Sequence, residues 1–180
     1  MKWFSKLFSI TPEQSDIQAP GANTSNKFVL PQIPGNFLDY KSCKFIPKIV
    51  NLEGDKYDKE SVKYFNEGNY DYCLKSMCKA LELGIGEHEQ AYTYQTMGQI
   101  YIKKKQLPEA VESFLKCLSI LNRPDEATFG AAVRLYVIYN AVGRKEADLL
   151  LQLAEKSNTK GWIFNNAKEL SILTKDQVNG

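Results

Sequence analysis

The chain has one histidine, His88, and four cysteines that form no CxxC pair, within 180 residues. A single imidazole cannot supply a multi-histidine metal site, and no Ser or Cys is recognisably paired with it as a nucleophile. Neither sign of charge is in excess: 23 basic residues stand against 21 acidic ones, a net charge of +2. That balance lacks the basic field that nucleic-acid binders present. Long apolar runs are missing as well. The opening segment, with Trp3, Phe4, Leu7 and Phe8, is interrupted by Ser5 and Lys6. It falls short of the roughly 20 apolar residues that a bilayer span needs, and it has no continuous core of a secretory leader. Metal chemistry, nucleic-acid binding and membrane spanning are therefore set aside first.

What is present suffices for one domain and a tail. The hydrophobic share of 43% lies close to that of ordinary globular chains. Cys43, Cys73, Cys78 and Cys117 read as reduced thiols of a cytoplasmic-type protein rather than as a disulfide framework. Wound as a helix, the first residues stack Trp3 on Leu7 and Phe4 on Phe8, with Lys2 and Lys6 clear of that stripe. A loose tail, contact with a membrane surface and docking on a partner all stay open for it. From Thr11 to about Asn51, Pro12, Pro20, Gly21, Pro31, Pro34 and Gly35 interrupt any helix. Within this arm, Phe28 to Pro34 is apolar, extended and of the PxxP kind. It either lies across the rest of the chain or serves as a spacer.

From residue 53 onward the apolar spacing turns helical. Helices are expected over Glu53–Glu67, Tyr70–Leu83, Glu89–Lys104, Pro108–Leu121, Pro124–Val142, Lys145–Lys156 and Trp162–Leu173. Gly84-Ile85-Gly86 follows a helix and lacks a third glycine, so it is no nucleotide loop. His88 is expected in an exposed loop, and Lys103-Lys104-Lys105 at a solvated helix end, where cations suit the macrodipole. Tyr64, Tyr101 and Tyr139 recur at intervals of 37 and 38 residues. The small residues Cys73, Ala110 and Ala147 recur at 37 and 37, as do Ala80, Cys117 and Ala154. Small positions between large ones signal helix pairs packed closely and stacked on copies of themselves. The last helix, with Trp162, Ile163, Ala167, Leu170 and Leu173 on one face, fits a cap.

The middle copy, with Tyr94, Met97, Gly98, Tyr101, Ala110 and Phe114, resembles the tetratricopeptide repeat. The first copy matches at Tyr64, Gly68, Cys73 and Ala80. The third matches at Ala132, Leu135, Tyr139, Gly143 and Ala147. The resemblance runs from about Gly54 to Ser157, with a period about three residues longer than the family's. It implies an all-α, right-handed α-solenoid of antiparallel helix pairs over 53–157. An irregular amino-terminal arm (1–52) precedes it, and a capping helix and tail (158–180) follow.

It further implies a non-catalytic scaffold, adaptor or chaperone without cofactor or metal, holding a protein or peptide partner in a concave groove. On this likeness the first helix of each pair lines the groove. The residues so assigned are Val62, Phe65 and Asn66; then Tyr92, Gln95, Gln99, Ile102 and Lys103; then Val133, Val137 and Asn140. The family's carboxylate clamp is not reproduced, because Asp58 and Val62 hold its first two positions. The alternative is a membrane-peripheral accessory protein tethered through Trp3, Phe4, Leu7 and Phe8. Homodimerisation, by arm exchange or end-to-end stacking, stays open.

Overall fold

Glycine and asparagine punctuate the apolar pattern into seven helices among the described residues. The computed structural model describes residues 27–33, 51–120, 126–155 and 160–178, with backbone alone for 160–166. The helices are α1 (Leu52–Asn66), α2 (Tyr70–Leu83), α3 (Glu87–Lys103), α4 (Leu107–Ile120), α5 (Glu126–Ala141), α6 (Glu146–Glu155) and α7 (Lys160–Gln177). Cys43, the segment with Trp3, Phe4, Leu7 and Phe8, and the side chains of Trp162 and Ile163 lie outside what is described. Among the described residues, no helix is long and apolar enough to cross a membrane.

Several helix starts differ from expectation for identifiable reasons. Asn51 accepts from the backbone N–H groups of Glu53 and Gly54, so α1 begins at Leu52. The same side chain donates to the Leu83 carbonyl at 2.7 Å and ties the start of α1 to the end of α2. Gly86 takes the N-cap position of α3. His88, expected in a loop, therefore lies in its first turn with Glu87 and Glu89, acidic residues that suit the positive helix end. Pro108 is the second residue of α4, after Leu107. Lys160 and Gly161, expected to break the chain, are helical in α7.

Short turns fold α1 onto α2, α3 onto α4 and α5 onto α6. Each turn contains one residue with positive φ: Gly68 at 73°, Lys105 at 58° and Gly143 at 68°. Close approach inside the second pair depends on Gly98. A Cβ there would stand 2.4 Å from the Phe114 ring, itself fully buried. The second and third pairs join through α4–α5 and α3–α5 contacts around Leu107, Phe114, Leu135, Ile138 and Leu150. The first pair adds a smaller cluster of Cys73 and Met77 against Met97 and Ile100.

The last helix and the described arm segment both pack on this body. The last helix packs chiefly on α5 and reaches α4, while its sequence neighbour α6 contributes little. Leu170, Thr174 and Val178, four residues apart, form its buried stripe. Gln177 Nε2 donates to the Lys105 carbonyl at 2.8 Å, and the Leu107 N–H donates to Gln177 Oε1 at 3.3 Å. The arm segment 27–33 runs beside this end. Phe28 and Val178 form an isolated parallel bridge, and the Phe28 N–H donates to the Gln177 carbonyl at 2.8 Å. Leu30 and Ile33 are buried, and between them the Pro31 carbonyl accepts the Tyr139 hydroxyl at 2.7 Å. Of the two readings of this apolar stretch, the one in which it lies across the helical body describes residues 27–33.

Candidate partner-binding site

Two first helices, α3 and α5, lie side by side, and α7 descends along the face they share. Between the three is a cavity of about 350 Å³. Its α3 wall is Gln99, Ile102 and Lys103, followed by Lys105 from the turn. The α5 wall is Val133, Arg134 and Val137, and α7 supplies Ala167, Glu169, Leu170 and Leu173. The volume falls in the range of roughly 300–1,000 Å³ usual for ligand pockets. An apolar interior with a few polar groups at the rim can hold an apolar side chain and orient its polar neighbour.

Burial divides the residues assigned to a groove. Val62, Asn66, Lys103 and Asn140 are exposed, while Phe65, Tyr92, Gln95, Gln99 and Ile102 are half-buried. Val133 and Val137 are buried, since α7 comes down beside them. Five of the eleven thus meet at the cavity: Gln99, Ile102, Lys103, Val133 and Val137. Val62, Phe65 and Asn66 sit apart, on the first pair. Tyr92 is engaged with Glu126, its hydroxyl donating to Oε2 at 2.9 Å. Gln95 lies against α5, where a Cβ on Gly130 would stand 2.6 Å from its Nε2.

Charge at the cavity is lopsided. Lys103, Lys105 and Arg134 oppose one carboxylate, Glu169. Arg134 is half-buried, donates through Nη1 to the Gly130 carbonyl at 2.8 Å and lies 5.9 Å from the Phe114 ring centre. Burial pulls its guanidinium down to about 10, which leaves it cationic at neutral pH. Lys103 and Lys105 are exposed, and Lys103 Nζ sits 5.5 Å over the Tyr70 ring. Elsewhere, burial pushes the Cys73 thiol up to about 11, and the thiol donates to the Ser61 carbonyl at 3.2 Å. A thiol so held is a poor nucleophile. No group of three or more His, Cys, Asp or Glu gathers to hold a metal among the described residues.

The family model of the tetratricopeptide repeat matches residues 91–120, which comprise most of α3, its turn and α4. Residues 91–120 are thus similar to one tetratricopeptide repeat. No curated protein and no solved structure matches the chain. Such repeats are protein–protein interaction modules, and the cavity is built partly from residues outside the matched repeat, on α5 and α7. Ala167, Leu170 and Leu173 carried a readable signal, one apolar face on the last helix, but sequence reasoning took that face for a cap. Lys105 also carried one: it stands 37 residues after Gly68 and 38 before Gly143, on the turn spacing of the repeats. Arg134 and Glu169 had no such mark.

Proposed function

We propose that this protein is a non-catalytic scaffold, adaptor or chaperone that holds an extended protein segment along the concave face formed by α1, α3 and α5. One observation carries the reading. Gln99, Ile102, Lys103, Val133 and Val137, assigned to the groove by family likeness, line one cavity beside α7. Side-chain amides along that face, at Asn66, Gln99 and Asn140, suit an extended backbone, whose N–H and C=O groups need partners when bound. A cytoplasmic setting fits the free thiols of Cys73, Cys78 and Cys117.

The test is affinity capture from the native host with the intact chain and with an Asn66→Ala, Gln99→Ala, Asn140→Ala variant. None of the three side chains is buried, so the variant should fold normally. Selective depletion of one or a few captured proteins is expected. Identical captured proteins at equal abundance would remove the concave face as the binding surface.

A further inference from the structure

We propose that the cavity between α3, α5 and α7 is a specificity pocket for an acidic segment: it takes a bulky apolar side chain of the partner against Val133, Val137 and Leu170, with a neighbouring carboxylate directed to Lys103 and Lys105. The inference rests on the concave-face reading and adds the chemistry of the partner. About 350 Å³ accommodates a few side chains but not a folded element. The last helix is an integral wall, since Ala167, Leu170 and Leu173 all line the cavity, Leu170 buried and the other two partly so.

Charge complementarity decides the rest. Three cations and one carboxylate line the cavity, so an acidic ligand is attracted and a basic one repelled. The single acid, Glu169, stands on α7 and disfavours a carboxylate there. Lys103 is the last residue of α3, and Lys105 stands in the turn that follows it.

A second, independent observation concerns the backbone of Lys105. Its φ is 58°, in the left-handed region, where the equivalent turns of the first and third pairs use Gly68 and Gly143. A side chain with a Cβ is disfavoured in this conformation, and glycine is the ordinary occupant. The second pair nevertheless carries a lysine there, at the one such turn that borders the cavity. Its carbonyl is held by Gln177 Nε2 at 2.8 Å, so α7 fixes the backbone from which the cation extends. Strain retained beside a cavity points to use of the side chain.

The experiment is fluorescence anisotropy of the full chain with three labelled octapeptides. Each has two leucines, flanked by glutamates, glutamines or lysines. The acidic peptide should bind about tenfold tighter than the glutamine peptide and tighter still than the lysine peptide. That preference should shrink in about 0.5 M salt. Lys105→Gly should keep or raise Tm while reducing the acidic preference by about threefold; a purely structural lysine would show no such change in binding. Lys103→Glu with Lys105→Glu should reverse the order of the peptides. Equal affinities for all three, or a preference that survives the double reversal, would overturn the acidic pocket. If that binding still fell in the Asn66, Gln99, Asn140 triple variant, the concave-face reading would stand. No binding of any peptide overturns the pocket, and capture unaffected by the triple variant removes the broader reading separately.

Discussion

The first helix pair and the two that follow repeat the same small and large residues, yet they are held very differently. In α1 the buried residues are Gly54 and Ser61 alone. In α5 they include Ala131, Ala132, Leu135, Ile138 and Tyr139. The reason is neighbours, not composition. The fifth helix is packed by α3, α4, α6 and α7 and by the arm, whereas α1 rests on α2 and meets α3 slightly. Thr93 Oγ1 donating to Asp58 Oδ1 at 3.4 Å belongs to that slight contact. The first pair accordingly leaves Val62 55% and Tyr72 57% exposed. Its link to the second pair relies on the small sulfur-lined cluster, a Lys104–Asp71 ion pair and Lys103 over Tyr70. In a stacked array, stability is shared between neighbours, so a repeat with one neighbour is the weaker one.

Removing α7 should have the largest effect and should fall on the better-packed side. A chain ending at Glu155 loses the buried Leu170, Thr174 and Val178 and the pairing with Phe28. Two apolar side chains at about 1.5–3 kcal/mol each already approach the whole stability of a small domain, roughly 5–15 kcal/mol. Aggregation or partial melting is expected by size-exclusion chromatography and circular dichroism. Hydrogen exchange should accelerate in α5 and α4 and stay unchanged in α1 and α2. A truncated chain that is soluble and equally stable would mean that α7 is dispensable to the body.

A matched pair of substitutions probes the two regions at equivalent positions, Gly98 and Ser61, which are 37 residues apart. Gly98→Ala forces a Cβ to 2.4 Å from the enclosed Phe114 ring. Overpacking of this kind costs about 1–3 kcal/mol, and Phe114→Leu in the same chain should recover part of it. Ser61→Ala loses the hydroxyl's bond to the Asp58 carbonyl at 2.7 Å. Such a bond contributes about 0.5–1.5 kcal/mol, so the loss should fall in the lower half of the Gly98 range or beneath it. Equal losses in urea titrations would show that the first pair is packed as tightly as the second.

How much of this was legible in the residues depended on range. Apolar spacing near 3.6 and the recurring small positions gave all seven helices, because both signals are local. Helix starts were misplaced by a residue or two where a cap acts at a distance. Asn51, for example, is fixed partly by the Leu83 carbonyl, 32 positions away. Of the residues that line the cavity, Gln99, Ile102 and Lys103 of α3 are among those that register within a repeat assigns to a groove. The same register assigns Val133 and Val137 to the groove as apolar pockets, whereas the structure buries them beside α7. Nothing local to α7 states which face of the stack it will cover, so their burial could not be read. The same holds for Tyr139, recognisable as a repeat position, whose hydroxyl partner Pro31 lies 108 residues back.

That tyrosine offers the finest test of the contrast, since it binds the arm to the body on the well-packed side. Tyr139 is fully buried, and burial chiefly, with Glu146 nearby, pushes its phenol well above the usual range. It therefore remains a neutral O–H donor to the Pro31 carbonyl across ordinary pH. Tyr139→Phe keeps the ring and removes only that donor, leaving a part-buried carbonyl without it. The expected loss is about 1–1.5 kcal/mol, the net worth of one hydrogen bond. Leu30 and Ile33 keep their apolar contacts, so the arm should loosen without detaching. The Phe28 amide, bonded to the Gln177 carbonyl, should then exchange faster while amides of α1 and α2 do not change. Tyr101→Phe, at the equivalent half-buried position in the second pair, is the control and should leave Phe28 unaffected. If Phe28 exchange were the same in Tyr139→Phe and the unaltered chain, the arm would be held by its apolar residues alone, and the hydroxyl would carry none of the advantage that the second and third pairs have over the first.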